Sequence, residues 1–244
     1  MDNTYLSIII PAYNEEKRIP ETLKKVTAYL KGQSYSWEVV VVNDGSKDNT
    51  SQVVQDFILK NKNIRLIDNK DNHGKGWVVR QGLFESKGDY RVFMDADNST
   101  SVDHVEKMFP EFKNGYDFVI GSRDMKESKL AIPQGWLRQR LGDLFNLAVQ
   151  FVCGLWGVWD TQCGFKGITK QCVKDVVPQC KIDRFAFDPE MLIVSRRMGY
   201  KIKEVPVTWL NDAASTVKFK NMVKMGVDLL KIRLNIIKGL YGRK

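Results

Sequence analysis

Apolar positions along this 244-residue chain follow two alternating rhythms. Leu6-Ser7-Ile8-Ile9-Ile10 is a short β-branched run closed by Pro11, which predicts a buried strand. Residues 21–30 place Leu23, Val26 and Leu30 on one helical face. Residues 37–42 predict a second strand, stopped by the turn formers Asn43-Asp44-Gly45-Ser46. The same alternation continues with a helix over 51–59, a strand over 64–67, a helix over 76–86 and a strand over 91–94. After one more helix, residues 118–120 predict a further strand. Strands and helices alternating at these lengths predict an α/β fold with a mostly parallel, Rossmann-like sheet flanked by helices.

The second half changes character. Residues 144–159 are the longest uncharged run, shorter than the ~20 residues of a spanning helix, so no transmembrane segment is expected. The region 133–159 carries Trp136, Trp156 and Trp159. Its apolar stretch 144–151 fits an amphipathic helix at a bilayer surface, and equally a core helix. A strand is expected over 202–207 and an amphipathic helix over 221–240. The expected organisation is one domain over 1–217 and a basic C-terminal helix over 218–244.

Charge sharpens that division. The net charge is +9, and the stretch from Lys218 onward holds eight Lys/Arg against Asp228 alone. A nucleic-acid binder would show its basic footprint on the main domain, so nucleic acid is not an expected partner. A basic terminal helix suits an anionic membrane surface, or is simply a solvated charged face. Cys153, Cys163, Cys172 and Cys180 have no C-x-x-C spacing, and there are only two His. That argues against a zinc site or a disulfide framework and favours a reducing cytosol. Met1-Asp2-Asn3-Thr4 has no signal-peptide pattern.

In a parallel sheet, ligands bind beyond the carboxyl ends of the strands, and three polar clusters fall there. Asp95-Ala96-Asp97 follows an apolar strand. Two carboxylates at such a point are poor core material, but they suit a hard divalent cation that completes its shell with water and phosphate oxygens. Pro11-Ala12-Tyr13-Asn14-Glu15 offers a ring for base stacking at Tyr13 and acceptors at Glu15, and Pro11 predicts that the chain turns there. Asp44, before Gly45, can accept hydrogen bonds from a nucleobase. Read singly, the last two clusters are also ordinary turns. His73-Gly74-Lys75-Gly76 opens a helix, where backbone approaches a phosphate closely, and Arg80 lies one turn on. Val79 occupies the place of the third glycine of a dinucleotide fingerprint, and a Walker A loop is absent. Lys75 and Arg80 are therefore anion ligands or surface charge.

Pro-Ala-Tyr-Asn-Glu-Glu, Val-Asn-Asp-Gly-Ser, Gly-Lys-Gly and Asp-Ala-Asp, in this order and spacing, resemble the family 2 glycosyltransferases of GT-A fold. Gly121-Ser122-Arg123, residues 160–166 and Phe187-Asp188-Pro189-Glu190 resemble its polyprenyl-phosphate branch, the dolichyl-phosphate β-glucosyltransferases above all, with the mannosyltransferases close by. The resemblance implies that Pro11, Ala12, Tyr13, Glu15 and Asp44 cradle the nucleotide. It implies that Asp95 lies beside the ribose, diphosphate or sugar and that Asp97 holds Mg²⁺ or Mn²⁺. Arg123 and Arg138 match arginines that hold donor and acceptor phosphates. Asn98 and Ser99 stand where the mannosyltransferases carry a Gln of the metal shell.

The implied reaction is inverting transfer of glucose from UDP-glucose to a dolichyl or undecaprenyl phosphate, by an enzyme peripheral to the cytoplasmic face of a membrane. GDP-mannose or another UDP-sugar as donor, a polysaccharide acceptor, and a non-catalytic nucleotide-sugar-binding protein are the alternatives. The chemistry agrees with a lipid phosphate. Its second pKa near ~6 leaves it mostly dianionic at neutral pH, so no general base is essential. Two phosphates must instead be held together, which cations such as Arg123 and Arg138 can do.

Overall fold

The computed structural model describes residues 4–130, 136–210 and 219–242. The first half runs β1 (Leu6–Ala12), α1 (Ile19–Lys31), β2 (Trp37–Asp44), α2 (Thr50–Lys60), β3 (Ile64–Asn69), α3 (Lys75–Glu85) and β4 (Tyr90–Met94). Then come α4 (Val105–Lys113), β5 (Phe118–Ser122), β6 (Lys129–Leu130), α5 (Trp136–Cys153), β7 (Phe165–Thr169) and α6 (Lys170–Val176). The chain closes with α7 (Phe187–Arg197), β8 (Ile202–Pro206), β9 (Thr208–Trp209) and α8 (Phe219–Ile237).

Seven strands form one sheet in the order β3-β2-β1-β4-β7-β5-β8, while β6 and β9 form a small parallel pair of their own. Successive strand residues face opposite sides of the sheet, and the core divides accordingly. Ile9, Val40, Val42 and Phe93 pack in the layer that holds α3, α6 and α7. Ile8, Ile10, Val39, Val41 and Val92 pack in the layer of α1 and α4. Because β1 and β2 are covered on both faces, their centres, Ile8-Ile9-Ile10 and Val39-Val40-Val41-Val42, are apolar without alternation.

Three expectations change. The first concerns Pro11. The chain does not turn there; β1 continues to Ala12, with Pro11 opposite Val42 and Ala12 opposite Asn43 of β2. Pairing with β4 has already ended at Ile9 opposite Phe93, so the proline lacks a ladder partner on that side and no N–H is missed. The second concerns β7, which runs antiparallel between β4 and β5. No strand pattern announces it, because Phe165-Lys166-Gly167-Ile168-Thr169 places a lysine and a glycine inside a buried strand.

The third concerns the C-terminal segment, expected as a basic extension. In α8, Met225, Leu229 and Ile232 are buried, and so is Tyr241 beyond its end. Leu229, Ile232 and Tyr241 share one core with α3 and α7. The opposite face of α8 stays exposed, with Val223, Val227, Leu230, Leu234 and Ile237 at helical spacing. Basic residues Lys224, Lys231, Arg233 and Lys238 are exposed among them. No helix among the described residues is long and apolar enough to cross a membrane.

Candidate active site

The parallel strands β1, β2, β4 and β5 end on one edge of the sheet, and antiparallel β7 begins there. The Asp95 N–H donates to Gly164 O at 3.1 Å, which continues the β4–β7 register into the loops. Cleft residues therefore come from five segments far apart in sequence.

On one flank, the loops after β1 and β2 are bonded to each other. The Asn14 N–H donates to Ser46 Oγ at 2.9 Å, Lys47 N–H to Asn14 Oδ1 at 2.8 Å, and Glu15 N–H to Thr50 Oγ1 at 2.8 Å. Asn14 takes a left-handed φ of 55°, a conformation asparagine tolerates. Pro11 and Ala12 lie buried beneath this junction, and Tyr13 is 45% exposed above it. Glu15 binds Arg18 through both carboxylate oxygens. Burial pushes the Glu15 carboxyl upward and Arg18 opposes; the nearby charges of Asp97 and Asp95 add to the rise.

Asp44 is buried, and its carboxylate accepts from Asn72 Nδ2 at 2.9 Å, His73 N–H at 2.7 Å and Gly74 N–H at 3.0 Å. Its present work is to hold the loop leading into α3, and burial raises its pKa against those donors. Arg80 lies one turn on, where its guanidinium binds Ile182 O and Asp183 and so ties α3 to the loop before α7.

Lys75 does reach the cleft. Its Nζ lies 2.6 Å from Asp95 Oδ1, with both side chains partly exposed. Burial works against the Lys75 ammonium, but Asp95 and then Asp188 outweigh it and raise its pKa. Thr22 Oγ1 donates to Ala96 O at 2.6 Å and so anchors the doublet to α1. Among the described residues Asp97 accepts the Ser99 N–H alone, at 2.9 Å, and it is half-buried. The set fits a hard divalent ion that takes one or two carboxylates and leaves its other positions to substrate phosphate and water. No cluster of three or more His, Cys, Asp or Glu suited to a metal occurs among the described residues. With Asp95 paired to Lys75, Asp97 is the carboxylate of the doublet that could hold such an ion, substrate oxygens then completing the shell.

The other flank centres on Arg123. Its Nε and Nη2 form a two-pronged pair with Asp160 at 2.7 and 2.8 Å, and its backbone N–H adds a third bond at 2.9 Å. The guanidinium also lies 5.5 Å from the Trp209 ring centroid. Burial disfavours the Asp160 carboxylate, yet Arg123 more than offsets it and holds its pKa below the usual range. Arg138 falls in the first turns of α5, and its side chain lies outside the described residues. Thr161 Oγ1 donates to Asn146 Oδ1 at 2.6 Å, which seats α5 beside this flank. Leu144, Leu147 and Phe151 of α5, with Trp156 and Trp159 after it, leave an exposed apolar face there.

Residues 7–175 match the family model described as Glycosyl transferase family 2. The chain belongs to that family. This glycosyltransferase is 36% identical over 247 residues to a dolichyl-phosphate beta-glucosyltransferase of Trichomonas vaginalis, covering 97% of this chain and 73% of the relative. It is 34% identical over 250 residues to the dolichyl-phosphate beta-glucosyltransferase of Homo sapiens, covering 97% and 77%. The fold is that of glucosyl-3-phosphoglycerate synthase from Mycobacterium tuberculosis, solved with Mn²⁺, UDP-glucose and phosphoglyceric acid. The TM-score to that structure is 0.71 at 17% identity, covering 95% of this chain and 79% of the other.

The glycosyltransferase has cleft residues that strand-end motifs alone do not assign. Gly164 abuts the acidic doublet, and a Cβ there would lie 2.0 Å from Asp95 Oδ2. Asp160 fixes Arg123, and Lys166 pairs with Asp188 at 2.5 Å beneath the cleft. The visible signal is Lys166 itself, a charge between Phe165 and Gly167 in a stretch with no other charged residue from Gln162 to Thr169.

Proposed function

We propose that this glycosyltransferase moves glucose from UDP-glucose to dolichyl phosphate, or a related polyprenyl phosphate, at a membrane surface. The observation that carries the reading is the pairing of two unlike flanks on one sheet edge. The acidic doublet with Lys75 stands on one side, and Arg123 beside an exposed apolar helix face stands on the other. The names of the similar relatives support the lipid phosphate and the glucose, and the Mn²⁺ and UDP-glucose held by the structural neighbour support the donor.

In this reading Tyr13 stacks on the base, and the paired loops after β1 and β2 enclose the nucleoside. A divalent ion on Asp97, when bound, neutralises charge on the diphosphate. Lys75 adds its ammonium to that charge, and Asp95 orients Lys75 and the sugar side of the donor. Arg123, held by Asp160, presents its remaining N–H groups to the acceptor phosphate. The acceptor oxygen is already ionised at neutral pH, so it attacks C1 directly while the C1–O bond to the diphosphate breaks and UDP leaves with that electron pair, and no residue need remove a proton. Displacement from the far side turns an α-linked donor into a β-linked product, matching the relatives' names.

The outer faces of α5 and α8 supply the surface on which a polyprenyl chain and bilayer meet the cleft. Trp156 and Trp159, both more than half exposed, suit the headgroup level. Basic residues among the apolar stripe of α8 each add about 1 kcal/mol near an anionic surface. A peripheral position on the cytoplasmic face belongs to the proposal.

The test is a transfer assay with dolichyl phosphate in detergent, offering labelled UDP-glucose or GDP-mannose with and without Mn²⁺. The expected result is lipid-linked glucose from UDP-glucose only, dependent on metal. Asp97→Asn should reduce it by about 1,000-fold while the protein still melts at the wild-type temperature. Faster transfer from GDP-mannose, or full activity of Asp97→Asn, would overturn the donor or the metal assignment respectively.

A further inference from the structure

One ion pair in the molecule has no part in the transfer just described. Lys166 is fully buried on β7, and its ammonium donates to Cys163 O and to Asp188 Oδ1, each at 2.5 Å. It also lies 5.3 Å from the ring centroid of Phe93. Asp188, in the first turn of α7, is 5% exposed. A buried ion pair is often no more stabilising than apolar side chains of similar volume, so stability alone gives little reason for charges here.

The location supplies a reason. Cys163, which accepts from Lys166, precedes Gly164, the residue against which Asp95 packs. Asp188 follows Phe187, and Phe187 packs on the start of α3; a Cβ on Gly76 would lie 2.5 Å from Phe187 Cβ. Lys75 is the residue before Gly76, and its ammonium is the one that meets Asp95 at 2.6 Å. Lys166 therefore touches both arms that converge on Asp95. One runs through Cys163 and Gly164, the other through Asp188 and the start of α3. The charge of Asp188 also favours the Lys75 ammonium, second only to that of Asp95.

We propose that Lys166 and Asp188 are positioning residues: the buried pair fixes the Cys163-Gly164 backbone under Asp95 and sets a carboxylate behind Lys75, so that the Lys75 ammonium stays aimed at the diphosphate subsite. Neither touches substrate. The inference rests on the transfer reading for its activity readout, and has a binding readout of its own.

The experiment is a cycle of three proteins against wild type: Lys166→Met with Asp188→Leu, Lys75→Gln, and all three substitutions together. Each is measured for kcat and KM with UDP-glucose and dolichyl phosphate, and by calorimetry for Mn²⁺–UDP affinity. Replacing the pair should lower kcat by about 30-fold and weaken Mn²⁺–UDP by about 10-fold. The KM for dolichyl phosphate should stay within about threefold. In the Lys75→Gln background the same replacement should change either quantity by less than about threefold, because the pair acts through Lys75. A pair variant with wild-type kcat and UDP affinity, or losses that multiply with those of Lys75→Gln, would overturn the proposal. If the pair variant melts far below wild type, Asp188→Asn, which keeps the shape of the side chain, takes its place in the cycle. A wild-type protein that binds Mn²⁺–UDP but transfers no glucose sinks the transfer reading alone, and the calorimetric cycle still decides the positioning claim. A wild-type protein that binds no Mn²⁺–UDP overturns both.

Discussion

Around the ends of β1 and β2, polar side chains of the cleft are bonded to one another. Asn14 meets Ser46 and Lys47, Glu15 meets Arg18, and Asp44 holds the loop of residues 72–74. Around α5 and α8 the opposite holds, since Leu144, Phe151, Leu230 and Ile237 stand in the open without polar partners. The difference follows from the two ligands proposed for the cleft. A charged diphosphate is stabilised by dipoles and charges already in place, so its flank is prearranged. A lipid chain gains its free energy from apolar area removed from water, which requires a surface and little geometry. The donor flank should thus be intolerant of small displacements, and the acceptor flank tolerant of shape but not of charge.

After that of Asp97→Asn, the largest expected effect also lies on the donor flank. Gly164→Ala adds a single methyl group where the space is already occupied by Asp95. It should lower kcat by about 100-fold through misplacement of that carboxylate. Wild-type turnover would show that Asp95 need not hold its position. The next effect lies on the exposed stripe of α8. Leu230→Glu with Leu234→Glu should weaken binding to anionic vesicles by at least about 10-fold, read by flotation, while stability changes by no more than about 0.5 kcal/mol per site. Undiminished vesicle binding would remove α8 from the membrane account.

The smallest effect concerns pH. Partial desolvation raises the carboxyl of Asp124, a residue still exposed to solvent, to about 6, the charge of Asp160 adding and Arg123 opposing. Because the folded pKa is raised, its contribution to stability is present below the unfolded value of 3.8 and lost as pH rises through about 6. Over the same range a new negative charge appears next to Arg123. The KM for dolichyl phosphate should then rise about twofold between about pH 5 and about pH 7, and Asp124→Asn should flatten that rise. A KM profile identical in both proteins would separate Asp124 from the acceptor flank.

Much of this molecule was legible in one dimension. The apolar runs of β1, β2 and β4 and the polar stops after them follow from local period and turn chemistry, which need no partner to be read. Asp95, Asp97 and Tyr13 could be picked out as candidates because each stands at such a stop, where its type is out of place in a core, and Lys75 because it opens a helix after Gly74. The partners of Arg80 were not legible, since nothing along the chain brings Ile182 and Asp183 to a cation one helical turn from Lys75. Pro11 misled for a like reason: whether a proline breaks a strand depends on which neighbours are still paired. Only tertiary structure set Gly164 against Asp95, joined Asp160 to Arg123, buried Lys166 against Asp188 and divided α8 into a core face and an open one. Those outcomes depend on which distant segments meet, and pairwise contact across the fold leaves no periodic trace along the chain.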